Sequence, residues 1–95
     1  MREYELVYIL DPRLDEEAIT AAIERISGWI TASGGEIVDT NQWGRRELAY
    51  PINKQWEGYY VVQQLRMTPQ AVADLERNLR ISEEVMRHLI VRPGA

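Results

Sequence analysis

The alternation of apolar and polar residues along the chain predicts four strands, because a strand with one buried face repeats every two residues. The predicted strands cover residues 2–10, 36–50, 58–67 and 85–92. The alternation is weakest in the second strand, where the polar residues 39–42 occupy the middle. A central strand would be more apolar, so we expect the second strand to lie at an edge of a sheet.

Two further stretches carry apolar residues at helical spacing. In the first, the buried stripe is Ile19, Ile23, Ile26 and Ile30. Asp15 stands where an N-cap is expected, and Ser33-Gly34-Gly35 supplies residues that end a helix. The second helix is predicted to begin at Thr68-Pro69, a capping residue followed by a proline at the first helical position. Its buried stripe is Val72, Leu75 and Leu79.

The resulting order is strand, helix, strand, strand, helix, strand, which is the ferredoxin-like arrangement. We therefore predict an α+β fold, βαββαβ, with two helices on one face of a four-stranded antiparallel sheet and a single domain over residues 1–95. The other face is left open and carries apolar side chains: Val7, Ile9, Tyr60, Val62, Leu89 and Val91. An apolar surface with a charged rim is typical of a protein-binding face.

The stretch between residues 43 and 60 combines turn residues, aromatic residues and an arginine pair. Gly44 interrupts the strand pattern, which predicts a β-bulge or a close backbone approach. Pro51 has no N–H to donate, so we expect strand pairing to stop there. Asn53 and Gly58 are expected to form the turn before the next strand.

The distribution of charge limits how this chain can meet nucleic acid. Its net charge is −4; residues 1–40 hold three basic and nine acidic side chains, whereas residues 41–95 hold eight basic and six acidic ones. An independent nucleic-acid binder usually has a strongly basic balance. We therefore expect contact with RNA only through a local basic patch or with the help of a basic partner.

Residues for catalysis, metal binding or membrane insertion are scarce. The chain has no cysteine and one histidine, His88, which we expect to face the helices in a structural role. No serine stands in a nucleophile motif, and the loop around Arg13 lacks the glycines that would cradle a phosphate. The apolar run 6–10 is too short to span a bilayer, and nothing resembles a signal peptide. We expect a cytosolic protein that is not an enzyme and has no cofactor, metal, small-molecule substrate or membrane partner.

Basic side chains near aromatic residues are the remaining candidates for a binding site. Arg45 and Arg46 flank the predicted bulge, and arginine suits bidentate phosphate contacts and stacking. Lys54 lies in the predicted loop, and Arg87 and Arg92 lie on the last strand. Each of these residues alone is equally compatible with solvated surface charge.

Three segments together resemble one family. They are Arg2-Glu3-Tyr4-Glu5, the segment WGRRELAYPINK at residues 43–54, and the segment from Leu79-Arg80-Ile81 through Val85-Met86-Arg87. The chain resembles ribosomal protein six of the bacterial small subunit over nearly its whole length. The middle segment is a specific signal of this family, because these twelve residues would rarely occur by chance in a chain with a ferredoxin-like order of elements.

The resemblance implies a structural protein that binds the central domain of small-subunit ribosomal RNA as a heterodimer with the basic ribosomal protein eighteen, in the cytoplasmic ribosome. By this resemblance, the expected RNA or partner contacts are Arg2, Arg46, Tyr50, Lys54 and Arg87. To these we add Arg45 and Arg92. The open sheet face would receive ribosomal protein eighteen through Val7, Ile9, Tyr60, Val62 and Leu89.

Two other functions remain open. A small-molecule-sensing regulatory dimer would need a self-complementary apolar face and a ligand pocket. An independent RNA-recognition module would need exposed stacking aromatics and RNA affinity without a partner. Many members of the resembled family carry a C-terminal extension. This sequence ends at Ala95, so contacts or modification that depend on such a tail are not carried over from the resemblance.

Overall fold

The structure is a computed structural model that describes residues 1–93; Gly94 and Ala95 lie outside the described residues. The elements are β1 Arg2–Leu10, α1 Glu16–Ala32, β2 Glu36–Ile52, β3 Gln55–Met67, α2 Pro69–Ile81 and β4 Val85–Val91. The strands form one antiparallel sheet in the order β2-β3-β1-β4, and both helices pack on one face of it. This confirms the predicted ferredoxin-like fold and the edge position of β2. None of the helices within residues 1–93 has the length and apolar character needed to cross a membrane.

Both helices begin at the predicted capping residues. Asp15 Oδ1 accepts a hydrogen bond from the Ala18 amide at 2.8 Å, and Thr68 Oγ1 accepts one from the Ala71 amide at 3.2 Å. Each such cap stabilises its helix by about 1 kcal/mol. Beyond the end of α1, Gly34 has a φ of 87°, a left-handed conformation that favours glycine.

The core lies between the helices and the sheet. From β1 it receives the predicted alternate residues Tyr4, Leu6, Tyr8 and Leu10. Gln63 is a fully buried polar residue whose Nε2 donates hydrogen bonds to Ser27 Oγ and Thr40 Oγ1, both at 3.1 Å. These bonds join α1 to β2 inside the apolar layer. Burial raises the pKa of the Tyr8 hydroxyl well above its ordinary value, so this group stays neutral at physiological pH.

The β2–β3 hairpin turns later than the sequence predicted. The expectation that pairing stops at Pro51 is wrong, because β2 continues to Ile52, which pairs with Gln55. The turn is Asn53-Lys54, and both residues have positive φ, 49° and 65°, as a type I′ turn requires. The ladder is irregular between Glu47 and Ile52, so the missing N–H of Pro51 removes no regular pairing.

The prediction of a bulge at Gly44 is confirmed. The register of β2 shifts between Gln42 and Gly44, where Gly44 has a φ of 82°, and Trp43 is the extra residue. The bulge directs neighbouring side chains to opposite faces of the sheet. Trp43 stacks on Tyr60 on the face away from the helices, whereas Gln42 Oε1 accepts a hydrogen bond from the Tyr59 hydroxyl on the helix side.

The sequence predicted Gly58 in the turn, but it lies within β3. A Cβ built on Gly58 would lie 2.2 Å from Cγ2 of Ile9 and 3.8 Å from Cδ2 of Leu48. The missing side chain therefore leaves room over β3 for the side chain of Ile9 from β1.

We expect Gly58→Ala to lower the free energy of unfolding by about 1–3 kcal/mol, because the new methyl group overpacks this contact. Gly28→Ala is the matched control: Gly28 lies in the interior of α1 with no atom within 4 Å of a built Cβ. That substitution should stabilise by about 0.5–1 kcal/mol. Urea unfolding measures both, and a Gly58→Ala variant as stable as the parent chain would show that the close approach is not required.

Candidate nucleic-acid interface

The tip of the β2–β3 hairpin, residues 46–57, folds over one end of the open sheet face. Tyr50 on β2 reaches across to Arg87 on β4, whose Nη1 donates a hydrogen bond to the Tyr50 hydroxyl at 2.8 Å. The guanidinium carbon of Arg87 lies 5.6 Å from the centre of the Tyr50 ring. Since β2 and β4 are opposite edges of the sheet, this contact spans both central strands.

A small apolar cavity of about 160 Å³ lies beneath the hairpin tip. Its lining residues are Ile9, Leu48, Ala49, Tyr50, Ile52, Tyr60 and Arg87. The hairpin tip thus covers part of the surface that the sequence pattern left open.

The predicted partner contacts differ in how accessible they are in this chain. Ile9 is only 8% exposed and Val62 only 6%, so neither is an open surface residue in this chain. Ile9 and Leu48, which are far apart in the sequence, both line the cavity beneath the hairpin tip. Of the predicted partner contacts, Leu89 is 58% exposed, and Val7 and Tyr60 are half-buried.

Arg46 stands in a stack on the same face as Tyr60. The Trp43 and Tyr60 rings lie 6.2 Å apart at an interplanar angle of 16°, and the guanidinium carbon of Arg46 lies 5.1 Å from the Trp43 ring centre. A cation over an aromatic ring is stabilised by about 0.5–1 kcal/mol at an exposed site. Among residues 1–93, Arg46 takes part in no ion pair, so its charge can meet an external anion.

Arg45 points in the opposite direction. Its Nη2 donates to the Leu14 carbonyl at 3.0 Å and to the Pro12 carbonyl at 3.3 Å, and its guanidinium carbon lies 5.9 Å from the Tyr59 ring centre. These bonds tie the hairpin to the loop between β1 and α1. The sequence grouped Arg45 with Arg46, but the structure places the two side chains on different faces.

Lys54 and Trp56 are exposed side chains at the hairpin tip. Lys54 is the second residue of the turn, and within the described part of the chain it forms no ion pair. Trp56 follows on β3 and is 62% exposed. Trp43 and Trp56 were absent from the predicted site residues, although the bulge beside Trp43 and the turn before Trp56 could have pointed to them.

The two remaining predicted RNA contacts lie at the far end of the sheet. Arg2 pairs with Met67, and Arg46 pairs with Gly58. Nine residue steps along β3 separate those partners, or roughly 30 Å at the usual rise of a strand. Arg92 follows Val91 near the same end as Arg2. The predicted set therefore does not form one cluster: its members around the hairpin are Arg45, Arg46, Tyr50, Lys54 and Arg87.

Most cations elsewhere in the described chain are already neutralised. Ion pairs join Arg13 to Asp11, Arg25 to Glu84, Arg66 to Glu3 and Arg77 to Asp74. The hydrogen bond from Arg13 lowers the pKa of Asp11 below its ordinary value, which keeps that carboxylate charged. Arg46, Lys54 and Arg87 around the hairpin have no such carboxylate partner within residues 1–93, although the hairpin tip also carries the exposed acids Glu47 and Glu57.

The histidine and the acidic side chains are the residues that could bind a metal ion. His88 faces α2 as predicted, and its Nε2 lies 3.7 Å from Glu76 Oε1. Within residues 1–93 no group of three histidine or acidic side chains is arranged to hold a metal ion.

Comparison with known proteins identifies a family model and sequence relatives that match nearly the whole chain. The family model described as Ribosomal protein S6 matches residues 3–92. The chain is 50% identical over 93 residues to small ribosomal subunit protein bS6 of Clostridium novyi (strain NT), with 98% of each chain covered. It is 47% identical over 92 residues to the protein of the same name from Caldanaerobacter subterraneus subsp. tengcongensis, with 97% of each chain covered.

A solved structure agrees with these sequence relatives. The crystal structure of 30S ribosomal protein S6 from Thermotoga maritima matches with a TM-score of 0.92 and 33% identity, over 96% of this chain and 86% of that chain. Fold and relatives together define a structural protein of the small ribosomal subunit, a class that is not enzymatic. The chain belongs to the ribosomal protein S6 family, which confirms the resemblance found in the sequence.

The hydrogen bonds of Arg45 predict a structural role that can be separated from RNA binding. Arg45→Ala should lower the free energy of unfolding by about 1 kcal/mol, because two backbone carbonyls lose a charged donor. Arg92→Ala, at an exposed site beyond β4, should change it by less than about 0.5 kcal/mol. Thermal unfolding compares the two variants, and equal stability would mean that the Arg45 bonds contribute nothing.

Proposed function

We propose that this small-subunit protein binds the central domain of small-subunit ribosomal RNA cooperatively with ribosomal protein eighteen, in the cytoplasmic ribosome. The observation that carries the RNA contact is the group of cations around the hairpin tip: Arg46, Lys54 and Arg87. Within residues 1–93 none of the three takes part in an ion pair. Phosphate oxygens are the anions that such a group would meet on RNA.

The conformation of Lys54 supports a functional reason for its charge. A lysine at a φ of 65° is strained by about 1 kcal/mol relative to glycine, which the second position of a type I′ turn prefers. A strained residue persists where it serves another purpose. In this proposal the turn holds the ammonium group out at the tip, where it contacts a phosphate.

The two arginines are held in place before RNA arrives. Arg46 rests on Trp43, and Arg87 is fixed by the ring and hydroxyl of Tyr50. A guanidinium group has five N–H donors, so Arg87 keeps donors for a phosphate after bonding Tyr50. Side chains that are already ordered lose less entropy on binding, which favours tight phosphate contacts.

The net charge of −4 supports the need for a basic partner. The outward side of α1 is acidic, with Glu16, Glu17 and Glu24 exposed, and it would repel RNA. A basic protein bound beside β4 would add cations next to the hairpin tip and screen this repulsion. We propose that Leu89, together with Val7 and Tyr60, supplies the accessible apolar part of that protein contact, and that the largely buried Ile9 and Val62 contribute little.

The two alternative functions receive less support. Tyr4 and Tyr8 are buried in the core and Tyr60 lies against Trp43, so these aromatics are not free to stack bases as in an independent RNA-recognition module. The apolar cavity under the hairpin tip, at about 160 Å³, is smaller than the roughly 300–1,000 Å³ of typical small-molecule sites.

Lys54→Gly separates RNA binding from folding. Glycine relieves the strained turn, so the variant should be more stable by about 0.5–1 kcal/mol. Its affinity for a central-domain RNA fragment in the presence of ribosomal protein eighteen should nevertheless fall about five- to tenfold. The slope of log affinity against log salt should fall by about 1, because one phosphate contact is lost. Filter binding across a salt series measures both quantities.

Two further variants calibrate this experiment. Arg46→Ala should behave like Lys54→Gly in affinity and slope, whereas Arg77→Ala, on α2 and paired with Asp74, should leave both unchanged. If Lys54→Gly and Arg46→Ala bind the fragment with unchanged affinity and slope, the hairpin is not the RNA contact.

A further inference from the structure

We propose that Trp56 is a stacking platform for an unpaired nucleobase, so that the hairpin tip binds a base as well as phosphates. This inference rests on the proposed function. It assigns a nucleobase to Trp56, which was not among the predicted site residues and is not one of the proposed phosphate contacts. It begins from the exposure of Trp56, 62%, which is large for a tryptophan on a paired strand.

Trp56 lacks the partners that cover the neighbouring tryptophan. Trp43 stacks on Tyr60 and carries Arg46 on its ring. Among residues 1–93 no aromatic ring or cation is stacked on Trp56. It also lies opposite the irregular part of the β2 ladder, between the pairs Glu47–Glu57 and Ile52–Gln55, and has no regular cross-strand neighbour.

The backbone around Trp56 is nevertheless held in place. The tight turn at Asn53-Lys54 and the Ile52–Gln55 pair lie on one side of it, and the Glu47–Glu57 pair lies on the other. A ring on such a frame can receive a flat ligand without the entropy cost of ordering a loop.

The residues next to Trp56 favour a nucleotide over an apolar protein surface. The flanking positions Lys54, Gln55 and Glu57 are all polar, whereas a tryptophan anchor in a protein interface is usually ringed by contacts that exclude water. Glu57 alternates to the other face of the strand, so its carboxylate does not stand beside the ring. A flat ring two residues from an unpaired ammonium group matches a nucleotide: its base on the indole and its phosphate at Lys54.

The test measures binding of the full chain, with ribosomal protein eighteen, to a central-domain RNA fragment. Trp56→Ala should bind about tenfold more weakly, the usual effect of losing one base stack. Trp56→Phe should stay within about threefold of the parent chain, since a smaller ring still stacks. The salt slope should not change in either variant, because stacking displaces no counterions. Ile81→Ala is the matched control, since Ile81 is exposed but lies on α2, and it should bind like the parent chain.

A scan of the RNA identifies the base. Replacing each unpaired base of the fragment by an abasic site should reveal one position that weakens the parent chain about tenfold and does not weaken Trp56→Ala further. If Trp56→Ala binds as tightly as the parent chain while Lys54→Gly and Arg46→Ala bind weakly, the stacking inference is wrong and the proposed function stands.

Other results would also overturn the inference. A Trp56→Ala variant that loses affinity for ribosomal protein eighteen without RNA present would make Trp56 a protein contact. Loss of affinity in Trp56→Phe equal to that in Trp56→Ala would exclude stacking. Failure of the parent chain to bind the fragment at all would overturn both this inference and the proposed function.

Discussion

The contact between Tyr50 and Arg87 determines where the candidate interface lies, because it joins the two edge strands of the sheet across β3 and β1. Gly58 leaves room for Ile9 beneath the hairpin tip, since a Cβ at this position would lie 2.2 Å from Ile9 Cγ2. The fold-back of the hairpin tip covers the apolar end of the open face. The hairpin tip that covers this end of the face exposes Tyr50, Lys54 and Trp56.

Electrostatic pairing decides which cations of this acidic chain can serve an external partner. Four arginines away from the hairpin are paired with carboxylates: Arg13, Arg25, Arg66 and Arg77. Around the hairpin, Arg46 and Arg87 rest on aromatic rings instead, which orders them without neutralising their charge. A net charge of −4 is therefore compatible with a local phosphate-binding surface. The negative net charge also explains why the proposed function includes a basic partner.

Local sequence signals predicted the elements well, because capping and periodicity act within a few residues. Asp15 and Thr68 cap the helices as predicted, and Gly44 marks the bulge. Contacts between distant residues were not predictable in this way, so the burial of Ile9 and the role of Gly58 as a close-approach site were missed. Successive side chains of a strand point to opposite faces, so alternation could have separated Arg45 from Arg46, but the prediction grouped them because both flank the bulge. The predicted family could still be recognised, since residues 43–54 carry it directly.

Mapping of backbone amide shifts by NMR tests the central claim most directly. Isotope-labelled protein, bound to unlabelled ribosomal protein eighteen, would be titrated with the central-domain RNA fragment. The account predicts that the largest RNA-induced shifts fall on residues 46–56 and around Arg87, while the outward face of α1, including Glu17 and Glu24, stays unchanged. Shifts confined to the helices, or to the far end of the sheet around Arg2, would contradict it.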